Sequence, residues 1–193
     1  MPMPRFFRGA PASAASLDTM ARAIDNLGLA CKVRRTSAMP GQSANTDRVV
    51  PFQEAVYDTS SLIDGLDGGM WSAVSPTFIQ IKVDGTYLIT GQERWPALST
   101  GSPYNTGQRA GKVVLNSTNP YSSDPGTGTL KSDKEGWATD GEGVTLSFVT
   151  TERLYAGDRL YLNFWHSAAG PLQCMDTDFG GTFLSVSYQS ALT

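Results

Sequence analysis

The runs on either side of Gly157-Asp158 are the strongest constraint on what this chain can fold into. Before the pair, Val144, Leu146 and Phe148 alternate with Thr145 and Ser147; after it, Leu160, Leu162 and Phe164 alternate with Tyr161 and Asn163. Period-two apolar spacing is the mark of a strand with one face buried. Glycine tolerates the positive φ of a tight reversal, and an aspartate side chain can hydrogen-bond nearby backbone, so the pair is suited to a turn. The spacing predicts two strands joined as a β-hairpin.

Two further runs have the same character. In Thr77-Phe-Ile79-Gln-Ile81-Lys-Val83-Asp84-Gly85-Thr86-Tyr87-Leu-Ile89, one face carries Ile79, Ile81 and Val83, and Asp84-Gly85 then reverses the chain, which predicts a second hairpin. Near the C-terminus, Leu184, Val186 and Tyr188 share a face after Gly180-Gly181 and predict a closing strand. Gly111 to Leu115 reads as a short strand between two polar insertions, Ala97 to Ala110 and Asn116 to Gly143. Loops of that length in a compact domain are functional or disordered.

A chain of 193 residues suits one domain with an appendage. Met1 to Ser16 holds Pro2, Pro4 and Pro11 among small residues and reads as an extended arm. Ser16 can then cap a short helix whose stripe is Leu17, Met20, Ala21, Ile24 and Leu27, with Gly28 just past its end. So short a helix is marginal alone and needs a surface, either its own domain, a neighbouring subunit or an external partner. Lys32 to Arg48 reads as a linker, so the expected division is 1–48 as arm, helix and linker, and 49–193 as the folded domain. Residues 1–48 carry seven basic side chains against three acidic, and 49–193 carry eight against fifteen, about +4 and −7. The basic end either meets an acidic surface or is a solvated tail.

Chemistry is sparse. The single histidine, His166, has no Gly-x-Ser-x-Gly elbow to supply a nucleophile, and its place at a strand end reads as surface or interface. No catalytic residue and no cofactor is expected. Cys31 and Cys174 are too few for a disulfide framework or a metal quartet; they are free thiols or one bridge. Asp133, Glu135, Asp140 and Glu142 are weak calcium candidates, and acids beside glycines are equally ordinary turn residues. The basic residues are too few, and lack interleaved aromatics, for nucleic acid. No apolar run of 18 residues exists to cross a membrane as a helix, and the first 16 residues lack a continuous apolar signal core, so cytoplasmic synthesis is expected.

The order of motifs carries a resemblance. Phe78 followed by Gly85 and Tyr87, then Leu154-x-x-Gly157-Asp158-x-Leu160, then Phe179-Gly-Gly-x-Phe183-Leu184, after an opening Val50-Pro51-Phe52 and Tyr57, resembles the complement C1q and tumour necrosis factor-like jelly-roll superfamily, over roughly Val49 to Tyr188. The resemblance implies an all-β, antiparallel two-sheet sandwich that packs as a homotrimer. Tyr161 and Trp165 lie opposite the core-facing Leu160, Leu162 and Phe164, so either a second subunit or a loop of the same chain must cover them. With Phe183 and Tyr188 they are the trimer-interface candidates. Jelly rolls of this kind recur in bacteriophage head-decoration, head-fibre and tail-fibre proteins. The chain looks like these in its short N-terminal anchor and Ser/Thr/Gly-rich loops, and it has no collagen-like Gly-x-y stalk.

The expectation is therefore a non-enzymatic virion protein on the particle surface. Arg5, Phe6, Phe7, Arg8, Leu17, Met20, Ile24 and Leu27 would dock it to capsid or tail proteins. The alternative is an adhesion module whose loops 97–110 and 116–143 bind a host glycan or receptor. Tyr104, Tyr121 and Trp137 would then be rim-binding aromatics, though they serve equally as loop anchors.

Overall fold

In the computed structural model, the described residues are 28–63, 66–97, 101–102, 106–117, 129–138, 142–169, 172–174 and 181–191. Among them the regular structure is all β apart from a 3-10 turn at Ser60–Leu62. The strands are β1 (Ala30–Arg34), β2 (Met39–Gln42), β3 (Arg48–Val49), β4 (Glu54–Asp58), β5 (Ile79–Gln80), β6 (Gly85–Trp95), β7 (Gln108–Leu115), β8 (Thr129–Trp137), β9 (Val144–Leu154), β10 (Arg159–His166), β11 (Leu172–Cys174) and β12 (Phe183–Ser190).

They form an antiparallel jelly-roll sandwich. The first sheet runs β4-β1-β12-β6-β9; the second runs β3-β10-β7-β8, with β5 added to β10; β2 and β11 make a separate two-stranded ribbon. Alternation decides the facing. On β6, Tyr87, Ile89, Gly91, Glu93 and Trp95 point inward, and on β10 Leu160, Leu162, Phe164 and His166 do. Between the sheets, Trp95 meets Phe164 edge to face at 5.9 Å; within the first sheet, the inward-facing Tyr87 and Tyr188 of neighbouring strands meet likewise at 5.5 Å.

Neither predicted hairpin is one. The strand before Gly157-Asp158 pairs with β6 and the strand after it with β7, so the turn passes from one sheet to the other. Asp84-Gly85 makes the same kind of crossing, from β5 beside β10 to β6 beside β12 and β9. In a sandwich, two alternating runs joined by a tight turn can face each other across the core instead of pairing along an edge. The two crossings lie side by side: the Ile81 N–H donates to the Asp158 carbonyl at 2.8 Å, the Gly157 N–H to the Ile81 carbonyl at 2.9 Å, and the Ala156 N–H to the Asp84 carboxylate at 2.8 Å. Gly157 has φ +95°, the conformation the turn requires of it.

The expected boundary at Val49 also fails as a limit of the folded domain. Within the expected linker lie most of β1, all of β2 and Arg48 of β3. β1 is an interior strand, paired from Ala30↔Ser187 to Arg34↔Phe183 on one side and with β4 on the other, with Cys31 and Val33 buried. The basic residues in and just after β1 serve the fold: Arg34 pairs with Glu54 at 3.0 Å, Lys32 sits 4.1 Å from the Phe183 ring centroid, and the buried Arg35 donates to the Ser37 and Pro51 carbonyls. The expected insertions shrink likewise, because Gln108–Ala110 belong to β7 and Thr129–Trp137 are β8. The expected arm and helix fall in residues 1–27, outside the described residues.

Candidate functional site

Two broad sheet faces are available for recognition. The outer face of the first sheet is set by register: Lys32, Ser185, Thr90 and Val149 form one row across β1, β12, β6 and β9, with Ser187, Leu88 and Thr151 in the next row and Phe183, Gln92 and Ser147 on the other side. Tyr57, opposite Lys32, closes the row and its hydroxyl bonds the Ser185 hydroxyl at 3.1 Å. Across β12, β6 and β9 these three rows hold hydroxyl, amide and apolar side chains and no charge. Val149 is 71% exposed at the centre of β9.

The outer face of the second sheet carries a groove of about 260 Å³ lined by Asn45, Asp47, Gln108, Ala110, Lys112, Glu135 and Trp165. Register explains the grouping. Ala110 of β7 lies between Trp165 and Glu135, and Lys112 between Asn163 and Asp133, while the chain leading into β3 brings in Asn45, whose N–H donates to the His166 carbonyl at 2.7 Å, and Asp47. The Lys112 ammonium bonds both oxygens of the almost fully buried Asp47, at 3.1 and 3.2 Å, and the Gln108 amide donates to Glu135. Trp137, 73% exposed, stands opposite Gln108 on the same face. Asn163, 5% exposed, lies on this face beside Lys112, and its side-chain oxygen has no hydrogen-bond partner.

Behind that sheet, in the core, lies a buried polar group with no obvious structural task. Glu93 is 0% exposed and neither of its carboxyl oxygens has a hydrogen-bond partner. Burial pushes its carboxyl well above the usual range; the Trp95 indole N–H and Lys112 pull it back, and Asp47 adds to the rise. It fits only because β7 has a glycine there: a Cβ on Gly111 would lie 2.6 Å from the Glu93 carboxyl and 2.5 Å from the Phe148 ring. His166, expected at the surface or an interface, is buried in its own chain's core, its Nε2 2.9 Å from the Gln42 carbonyl and its ring edge-on to Trp95. Burial lowers its pKa below 6.5, against the Gln42 carbonyl and with help from Arg109.

The predicted interface residues separate. Phe183 lies on the outer face of the first sheet. Tyr188 does not: it is 4% exposed and packs into the core on Tyr87. Tyr161, 3% exposed, is covered within its own chain by Phe78 at 5.6 Å, and Arg159 in turn lies over the Phe78 ring. The loop of the same chain, not a neighbour, answers what covers it. Trp165 lines the groove of the second sheet. Of the rim aromatics, Trp137 is exposed and lies on strand β8, not in a loop; Tyr104 and Tyr121 lie outside the described residues.

Asp133 and Glu135 share the outer face of β8, Asp140 lies outside the described residues, and among those described no three acidic, histidine or cysteine side chains gather closely enough to hold a metal ion. Cys31 is a buried free thiol, its pKa raised by burial and by Asp58. The docking candidates Arg5 to Leu27 lie outside the described residues.

The sandwich defines the chain as a jelly-roll domain of the architecture shared by C1q and tumour necrosis factor modules. The globular domain of zebrafish complement 1qA superposes with a TM-score of 0.54 at 13% identity, over 85% of this chain and 99% of that one. Eiger TNF from S. frugiperda matches with a TM-score of 0.56 at 10% identity, over 86% and 94%, and murine APRIL with 0.54 at 13%, over 83% and 98%. Identity this low shows a shared fold. No protein-family model matches the sequence, and no curated protein does.

Proposed function

We propose that this chain is a non-enzymatic structural protein of a bacteriophage virion: a homotrimeric jelly-roll knob displayed on the particle and attached to capsid or tail proteins through its N-terminal residues. The observation that carries the self-assembly is the outer face of the first sheet. Across β12, β6 and β9 the rows of Thr, Ser, Gln, Leu88, Val149 and Phe183 carry no charge, and among the described residues only Lys32 and Tyr57 at the β1–β4 side lean over them; this is the composition of a homo-oligomer interface, from which charged residues are depleted. The threefold count, the virion setting and the absence of catalysis are carried by the resemblance of the motif order and fold to jelly rolls of that kind.

The test is the solution mass of the full chain by light scattering, with and without Val149→Arg. The side chain of Val149 is in solvent in a single copy, so the substitution leaves the protomer folded while placing three like charges in the proposed contact. A threefold mass that falls to one in the variant is the expected result. A monomeric wild-type chain, or a trimer indifferent to the substitution, would sink the assignment.

A further inference from the structure

From the groove on the second sheet we infer a binding site for a neutral saccharide, separate from the proposed self-assembly face and independent of the virion reading. The groove joins the two components such a ligand requires. Sugar rings present flat C–H faces that pack on an indole, and Trp165 supplies one within the groove while Trp137 offers a second at its edge, in register with Gln108. Their hydroxyls each donate and accept, and they are matched by a mixed set of carboxylate, amide and ammonium groups: Asp47, Glu135, Asn45, Gln108 and Lys112.

β7 and β8 stand one strand spacing, about 4.8 Å, apart, and β10 one more beyond. The two indoles are therefore displaced by more than a single ring, a span suited to a short oligosaccharide. At about 260 Å³ the groove is slightly smaller than the usual ligand pocket of about 300 Å³ and more, which suits a shallow subsite.

The charges exclude two competing ligands. Two carboxylates against one ammonium leave the groove negative, which repels phosphate, sulfate and acidic sugars. Lys112 already occupies both oxygens of Asp47, where a metal ion would have to coordinate. Asp47, nearly buried, fixes the Lys112 ammonium in place through that ion pair, and such preorganisation of a polar group at the groove is what hydroxyl recognition needs. Asn163 beside Lys112 keeps an unpartnered buried oxygen on the same face, an acceptor that direct or water-bridged bonding would satisfy.

The experiment is titration of the full chain with neutral trisaccharides of glucose, galactose, mannose and N-acetylglucosamine, alongside a sialylated trisaccharide. Binding is read by tryptophan fluorescence and by saturation transfer from protein to sugar protons. At least one neutral trisaccharide is expected to bind saturably. Affinity should fall roughly tenfold or more in Trp137→Ala and in Glu135→Gln, both at exposed positions where folding is not at stake, and be unchanged in Tyr155→Ala, an exposed aromatic elsewhere. No binding across the panel, binding of the sialylated sugar alone, or binding that survives both groove substitutions would each overturn the proposal. Because none of these readouts involves oligomer mass or particles, failure here and failure of the virion reading are told apart.

Discussion

Glu93 is the residue whose environment differs most from what its chemistry favours. A carboxyl buried between Gly111, Phe148 and Trp95 without a hydrogen bond stays protonated in the fold and ionises in the unfolded chain above its ordinary value of 4.5. Over that interval the folded state binds one more proton than the unfolded state, so stability falls as pH rises, and levels off only above the raised pKa. His166 acts in the other sense: neutral in the fold, it takes stability away as pH falls below 6.5. The two slopes are opposite in sign, that of Glu93 setting in above 4.5 and that of His166 below 6.5.

Glu93→Met, unbranched and apolar at similar length, should therefore raise stability by about 1–3 kcal/mol at pH 8 and flatten the decline that Glu93 causes as pH rises above 4.5. Urea midpoints at pH 5, 6.5 and 8 would check it. A variant less stable than wild type at pH 8 would mean that the carboxylate is ionised and paired there. The signal was present in the sequence, since Tyr87, Ile89, Gly91, Glu93 and Trp95 continue one alternation. A glutamate at an inward position of such a period is by itself the mark of a buried carboxyl.

At the scale of elements, strands with a clean apolar alternation were legible: β6, β9, β10 and β12 lie where Ile89, Phe148, Leu162 and Val186 placed them, the last three with the predicted faces inward. Pairing was not, because alternation reports which face is buried and says nothing of which strand lies beside it. β1 and β8 escaped for two different reasons. β1 is five residues long with only Cys31 and Val33 as inward markers, and β8 is an edge strand whose outer face carries Asp133, Glu135 and Trp137, the charge pattern that protects an edge. The groove was hidden for the same reason as the pairing. Asp47, Lys112, Glu135 and Trp165 come together only through the register of β10, β7 and β8.

The position of β1 gives an element-scale prediction. A chain of residues 28–193 keeps every described strand and should fold, whereas 49–193 loses β1, β2 and half of β3. That truncation opens the β12 edge and leaves β4 without its partner, exposing the surfaces that Cys31 and Val33 cover. Far-UV circular dichroism with amide chemical-shift dispersion should show a cooperative fold for the longer chain and an aggregating or unfolded one for the shorter. A well-folded 49–193 would return β1 to the status of an accessory strand.

At the scale of the molecule, the charge asymmetry that set residues 1–48 apart does not mark a docking device. Of the seven basic residues, Lys32, Arg34, Arg35 and Arg48 belong to β1, to β3 or to the segment after β1. Residues 1–27 keep Arg5, Arg8 and Arg22 against Asp18 and Asp25, a net of +1. What remains in favour of docking is the spacing of Leu17, Met20, Ile24 and Leu27, an apolar stripe that must be buried against something. The first sheet's uncharged face is engaged by other copies in the proposed assembly, and the second sheet's groove is polar. Neither is the natural seat for that stripe, which points to a partner outside the knob.

Deleting residues 1–27 should then leave the solution mass and thermal midpoint of the oligomer unchanged while abolishing its incorporation into particles when it is supplied during assembly. Leu17→Asp with Ile24→Asp should reproduce the loss without shortening the chain. Counting the protein by mass spectrometry in purified particles would decide it. Normal incorporation of either form would remove the N-terminal segment from the attachment. A deletion that instead dissociates the oligomer would make the stripe part of the threefold contact, and the first sheet's face would then need another role.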